Sequence, residues 1–215
     1  MIVFDGVTKR YGNRTILDEI SLSIRPGEFI SIVGNSGSGK TTIIKLILGI
    51  ETPTEGSVFV EGRNATGLKP HEVQHMRKLM GCIFQDAKLL ADKTVFENVA
   101  FPLELTGYSL AQISEMVPAA LREIGIEHIQ DNYPHQISGG EAQRVALARA
   151  IVHRPRFILA DEPTGHLDSE NAKMVIKQLV KFHLQGMTVL LTTHNRPLVD
   201  LVGQKVLHLE NGILV

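Results

Sequence analysis

An apolar run, Glu28-Phe29-Ile30-Ser31-Ile32-Val33, stops at Gly34-Asn35-Ser36-Gly37-Ser38-Gly39-Lys40-Thr41, and a helix-forming stretch, Thr42 to Leu48, begins at once. No other feature of the chain restricts its fold as much. The loop satisfies the pattern G-x-x-x-x-G-K-[ST] in both spelling and context, with a buried strand before it and a helix after it. Its glycines let backbone N–H groups turn inward and approach phosphate oxygens with no Cβ in the way. Lys40 has the reach to meet β- and γ-phosphates, and the Thr41 hydroxyl can hold Mg²⁺. The helix directs the positive end of its dipole at the same anion. The plain alternative is a flexible Gly/Ser loop, and the strand and helix on either side argue against it. A nucleoside-triphosphate site in an α/β fold is the expectation.

Strand and helix alternate through most of the 215 residues. Two β-rich runs, Ile2 to Tyr11 and Thr15 to Ile24, are joined by Gly12-Asn13, a hairpin signal. Ser57 to Val60, Met80 to Phe84, Phe157 to Asp161, Thr188 to Thr192 and Lys205 to Leu209 read as further strands, and Ser169 to Gln185 as a helix. Between Asp86 and Val152 helical patterns dominate, as in Ser109 to Ile124 and Ala142 to Val152. Such alternation implies a mainly parallel sheet with helices on both faces. The expected architecture is one domain over 1–215. Its nucleotide-binding core spans 1–85 and 153–215 and includes an N-terminal antiparallel β subdomain; a helical subdomain is inserted at 86–152.

Composition removes whole classes. With 43% hydrophobic residues the chain can bury a core and is not disordered. A net charge of −1 provides no basic field, so no nucleic-acid partner is expected. The single cysteine, Cys82, excludes an internal disulfide and any CxxC metal or redox site. There is no run of about 18 apolar residues to span a bilayer. Met1 to Asp5 lack a charged start followed by an apolar signal stretch. A soluble protein of a reducing, cytoplasmic compartment is the expectation.

Two further clusters carry chemistry. Phe157-Ile158-Leu159-Ala160-Asp161-Glu162 is an apolar strand ending in two carboxylates. Beside a P-loop, Asp161 suits the orientation of Mg²⁺ or its water, and Glu162 the polarisation of an attacking water as general base. An acidic loop after a strand is the bland alternative. Ser138-Gly139-Gly140-Glu141 opens a helix, with Ser138 and Glu141 spaced as a capping box. The cap does not explain Gly139 and Gly140, each costing roughly 1 kcal/mol against alanine in a helix. Two glycines make sense where backbone N–H groups must approach a phosphate, and capping is compatible with that.

In their order along the chain, these motifs are similar to those of ATP-binding-cassette nucleotide-binding domains. The resemblance covers essentially the whole chain and implies a P-loop NTPase fold of the RecA-like type. Gly34 to Thr42 resembles Walker A, Gln85 the Q-loop, Ser138 to Glu141 the signature motif, Asp161 and Glu162 Walker B, Asp168 the D-loop and His194 the switch histidine. Tyr11 falls where the family places an aromatic that stacks on adenine. Taken singly, Tyr11 reads as an exposed hairpin residue, Gln85 as a strand-end polar group and Asp168 as a helix N-cap. The resemblance implies a head-to-tail homodimer with two ATP molecules sandwiched between subunits, each held by Walker A of one and the signature helix of the other. It implies that His194 contacts the γ-phosphate and that Gln85, with Thr41 and Asp161, ligates Mg²⁺.

Finer spelling points to one branch. Glu141, and Asp161-Glu162-Pro163-Thr164-Gly165 running into His166-Leu167-Asp168, are similar to the branch of cell-division, lipoprotein-release and macrolide-export ATPases. Ile83-Phe84-Gln85-Asp86, Leu89-Leu90 and Lys93 to Ala100 most resemble its cell-division members. His166 in place of Asn, Ala142 in place of a polar residue and Asn195 in place of an acid depart from the pattern, and none removes a catalytic group. With Val215 close behind the last strand, neither the regulatory domain of sugar importers nor a fused membrane domain is expected. The resemblance implies an ATPase on the cytoplasmic face of the plasma membrane. It also implies that an integral membrane partner docks a short helix in a groove near Gln85 to Tyr108, and that hydrolysis is coupled through it to cell-wall hydrolases. Two other readings stay open: a lipoprotein-release or export ATPase with the same chemistry, and a soluble cassette ATPase acting on DNA or ribosomes. The last predicts tandem cassettes, a coiled-coil insertion or basic extensions, none of which the sequence contains.

Overall fold

Gly12, at φ +57°, and Asn13 turn strand β1 (Ile2–Tyr11) back along β2 (Arg14–Ile24), with Tyr11 opposite Arg14. The computed structural model describes residues 1–215. After the hairpin come β3 (Phe29–Val33), α1 (Lys40–Ile47), β4 (Glu55–Val60), β5 (Arg63–Asn64), α2 (Pro70–Arg77) and β6 (Met80–Phe84). Three helices follow in succession, α3 (Val95–Thr106), α4 (Leu110–Ile124) and α5 (Gly139–Ile151). The chain then alternates β7 (Phe157–Asp161), α6 (Ser169–Leu184), β8 (Thr188–Thr193), α7 (Arg196–Asp200) and β9 (Lys205–Glu210), and ends in β10 (Ile213–Leu214). A four-stranded antiparallel sheet has the order β2-β1-β4-β5. A six-stranded sheet has the order β10-β9-β3-β8-β7-β6, and every pairing in it is parallel except β9 with β10.

Every residue of β3, β7 and β8 is buried, as expected of strands covered on both faces. Their side chains alternate between two cores. Ile30, Ile32, Phe157, Leu159 and Leu190 join the antiparallel sheet and α1. Phe29, Ile158, Ala160, Val189 and Leu191 join α3, α4, α5 and α6. The helical insertion therefore shares one hydrophobic core with a face of the parallel sheet.

Most boundaries fall within two residues of the sequence reading, and the differences have local causes. Helix α1 begins at Lys40 rather than Thr42, so the last P-loop residues are its first turn. Helix α3 is legible only as an apolar segment because Pro102 interrupts its pattern; a Thr94–Glu97 capping box starts it nonetheless. Helix α2 carries little apolar residue and buries only Met76. Cys82 sits on β6, where burial pushes its thiol up to about 12.

Parallel pairing brings the carboxyl ends of four strands to one edge, with Val33 opposite Thr193, Asp161 opposite Thr192 and Phe84 opposite Asp161. Gly34, Gln85, Glu162 and His194 each follow one of these strands directly. Ligand sites of open α/β sheets lie at this edge.

Candidate active site

The P-loop connects β3 to α1 under the β1–β2 hairpin. A Cβ on Gly39 would lie 2.7 Å from Leu17 Cδ2 and 3.1 Å from the Ile16 carbonyl, and the residue's φ is +109°. A Cβ on Gly34 would lie 2.5 Å from the Leu209 carbonyl. Both glycines are therefore demanded by close backbone approach. No side chain caps α1, which leaves its first N–H groups open to an anion. Lys40 is buried, and its Nζ donates to the carbonyls of Gly34 at 2.7 Å and Asn35 at 3.0 Å. A third partner is the Glu162 carboxylate at 3.1 Å. All three ammonium protons thus have acceptors.

Asp161 is buried at the end of β7 and accepts a hydrogen bond from the Thr192 hydroxyl on Oδ1 at 2.7 Å. At Glu162 the chain turns out of the strand with φ +47°, a conformation that an L-residue keeps only when its surroundings enforce it. Here the Glu162 N–H still donates to the Thr192 carbonyl at 2.9 Å. Its Oε2 accepts from the His194 backbone N–H at 3.2 Å and pairs with His194 Nδ1 at 2.9 Å. One carboxylate is held between an ammonium and an imidazole.

Tyr11, Ser36, Gly37, Gly39, Lys40, Thr41, Thr42, Gln85, Glu162 and His194 line a single cavity of about 380 Å³. Tyr11 is exposed at its mouth, with Lys9 Nζ 4.8 Å above the ring centroid. Asn35 and Ser38 face a second cavity, which Ser36 and Gly37 also line. Gln85 is seated against Gly165, where a Cβ would come within 2.9 Å of its Cδ, and its Nε2 lies 2.9 Å from His166 Nε2. His166 Nδ1 in turn lies 3.7 Å from Asp86. Sequence reasoning noted His166 only as a departure from a pattern; the structure makes it the neighbour that orients Gln85. The two residues are 81 apart in the chain, so nothing local in the sequence signals the contact.

Ser138 to Glu141 and Asp168 line neither cavity. Ser138 is the N-cap of α5, accepting from the Glu141 N–H at 3.3 Å, while Glu141 accepts from the Ser138 N–H at 2.8 Å and from its hydroxyl at 2.7 Å. These bonds hold the Glu141 carboxyl below the usual carboxylate range. Gly139 has open space where a side chain would be, but a Cβ on Gly140 would lie 2.7 Å from Asn171 Oδ1. The sequence argument gave both glycines one cause; packing against α6 requires glycine at Gly140, and only Gly139 is left facing solvent. Asp168 caps α6 by accepting from the Glu170 and Asn171 N–H groups at 2.9 Å each. Backbone donation, foremost from Asn171, lowers its pKa.

Residues 17–165, well over half of the chain, match the ABC transporter family. The chain belongs to that family. This ABC cassette is an ATPase of the P-loop NTPase fold. It is 44% identical to "Cell division ATP-binding protein FtsE" of Mycobacterium tuberculosis, over 100% of this chain and 94% of the relative. It is 43% identical to the protein of the same name in Escherichia coli, over 100% and 97%. Among solved structures it is similar to the ATP-binding cassette MJ0796 in a dimeric post-hydrolysis state bound to ADP and Pi. That match has a TM-score of 0.91 at 33% identity and covers 100% of this chain and 96% of that one.

Proposed function

We propose that the cassette is an FtsE-type cell-division ATPase working as a head-to-tail homodimer, each ATP lying between the P-loop of one subunit and the Ser138-to-Glu141 turn of the other. One observation carries this reading. Lys40, Glu162 and His194 converge on the cavity, while the open Gly139 turn, spelled as the family's ATP-contacting signature, does not line it. In this reading Tyr11 stacks on adenine and Gly34 to Thr42 cradle the phosphates. Lys40 exchanges its P-loop carbonyls and Glu162 for phosphate oxygens. That exchange frees the Glu162 carboxylate to take a proton from the attacking water, and His194 carries the contact from Glu162 to the γ-phosphate.

Thr41, Asp161 and Gln85 offer oxygen donors only, the chemistry a hard cation needs, and Asp161 keeps an oxygen beyond its bond to Thr192. They would hold a magnesium ion. When bound, Mg²⁺ neutralises charge on the phosphates.

No helix of the chain is long and apolar enough to cross a membrane. In this reading, attachment to the cytoplasmic face runs through an integral membrane partner of the FtsX type, by which hydrolysis is coupled to cell-wall hydrolases. Of the apolar set between Gln85 and Tyr108, Val95, Val99 and Leu103 are core, which leaves Leu89, Leu90, Phe96 and Phe101 as a partly covered floor. Asp86, Lys88 and Asp92 are exposed at its rim beside Lys93. An apolar floor with a charged rim suits helix-in-groove docking.

The test is recruitment to membranes carrying an FtsX-type protein. Lys88→Glu and Asp92→Lys should lower the bound fraction while ATP binding persists. Unchanged recruitment for every rim reversal, with loss on mutation elsewhere, would overturn this docking surface.

A further inference from the structure

Asn171 lies outside the cavity and outside every motif above, yet it touches two of them. Its Nδ2 donates to Asp168 Oδ2 at 2.6 Å and its backbone N–H to Asp168 Oδ1 at 2.9 Å. A carboxylate only accepts, so the amide nitrogen must face Asp168 and the amide oxygen must face away. That oxygen occupies the space over Gly140, 2.7 Å from where a Cβ would stand. One turn further along both helices, Arg144 Nη1 donates to Met174 Sδ at 3.4 Å. Gly140 and Arg144 are four apart and Asn171 and Met174 three apart, so the two contacts are successive rungs between one face of α5 and one face of α6. The Asp168 turn and the Ser138-to-Glu141 turn are thereby docked side by side through a single side chain.

We infer that Asn171 is a positioning residue that locks these two turns into one preorganised surface, which the subunit presents to the nucleotide of its partner. The inference rests on the head-to-tail assembly proposed above. Each turn alone is an exposed loop-to-helix junction, and a surface that must be ordered on contact loses association free energy to that ordering. Locked in advance, the surface does not. None of Asn171, Asp168 and Gly140 lines the cavity at Lys40, so the lock acts on dimerisation and leaves the subunit's own ATP site alone.

The test uses the full chain carrying Glu162→Gln, so that ATP is bound without being consumed. Sedimentation over a concentration series with ATP gives the dimer dissociation constant. An ATP titration at low concentration gives the affinity of the single subunit. Adding Asn171→Ala should weaken dimerisation about 25-fold, the effect of one hydrogen bond counted twice across a two-fold assembly. Asn171→Asp keeps the shape but opposes two carboxylates; it should weaken dimerisation further, and the excess should shrink at high salt. ATP affinity of the subunit should not change in either variant. Dimerisation equal to that of the parent in both variants overturns the inference, and so does a parallel loss of ATP affinity, which marks general damage to the fold. If the Glu162→Gln parent itself stays monomeric with ATP, the assembly reading falls and the inference with it. A parent that dimerises alongside variants that match it removes the inference alone.

Discussion

Helices α1 and α5 begin at the two motifs that matter most, and they begin in opposite ways. The start of α1 has no side-chain cap, and the polar groups around it pair with one another: Lys40 with Glu162, and Glu162 with His194. The start of α5 is closed on itself, Ser138 and Glu141 satisfying each other, with open space at Gly139. An uncapped helix start at a sheet edge is built around a ligand and holds substitutes until the ligand arrives. A self-capped start is stable without one. The first is assembled by the chain's own strand ends; the second is finished locally and, in the function proposed above, serves the partner's nucleotide.

The difference can be broken most severely at Glu162. Glu162→Gln removes the base and should lower turnover by about 10²–10⁴-fold while ATP still binds. Near-normal hydrolysis would rule out Glu162 as the base. Lys40→Ala acts on the same half-site but earlier, through binding: loss of a charge-assisted contact should weaken ATP affinity about 10–100-fold in a direct titration. Unchanged affinity would mean that Lys40 does not hold phosphate.

Ser138→Ala sharpens the contrast, because it strikes the other half-site. It should leave ATP affinity of the subunit intact and lower turnover. Loss of the cap, worth about 1 kcal/mol, should also lower Tm by about 3 °C. A weaker ATP affinity without loss of turnover would place Ser138 on its own subunit's nucleotide. The smallest effect is expected at His166→Ala, which frees the Gln85 amide. Turnover should drop about fivefold, the worth of one hydrogen bond, with ATP affinity unchanged. Equal turnover in steady-state assays would leave the 2.9 Å contact without a role.

The first half-site was legible in the sequence because its elements are local. Four apolar residues, a glycine pattern and a lysine specify strand, loop and helix within one short segment, and β3 and α1 form there with small shifts. The convergence of Gln85, Glu162 and His194 was legible only through the alternation of strands and helices, since parallel pairing puts successive strand ends on one edge. What the sequence hid was contact across the fold. Nothing near Gly140 announces that Asn171 will occupy its missing side chain, and nothing near Gln85 announces Gly165 as its seat. Helix α3 was obscured for another reason, its Pro102 breaking a periodicity that burial of Val95, Val99 and Leu103 restores in three dimensions.

If the second half-site serves another subunit's nucleotide, the free chain is an incomplete catalyst, and specific ATPase activity must depend on chain concentration. Activity per subunit should be measured at saturating ATP across a dilution series, with sedimentation of the same samples. Activity should fall toward zero as the protein becomes monomeric and rise to a plateau as dimers form. Activity per subunit that stays constant in samples sedimenting as monomers would contradict the shared site.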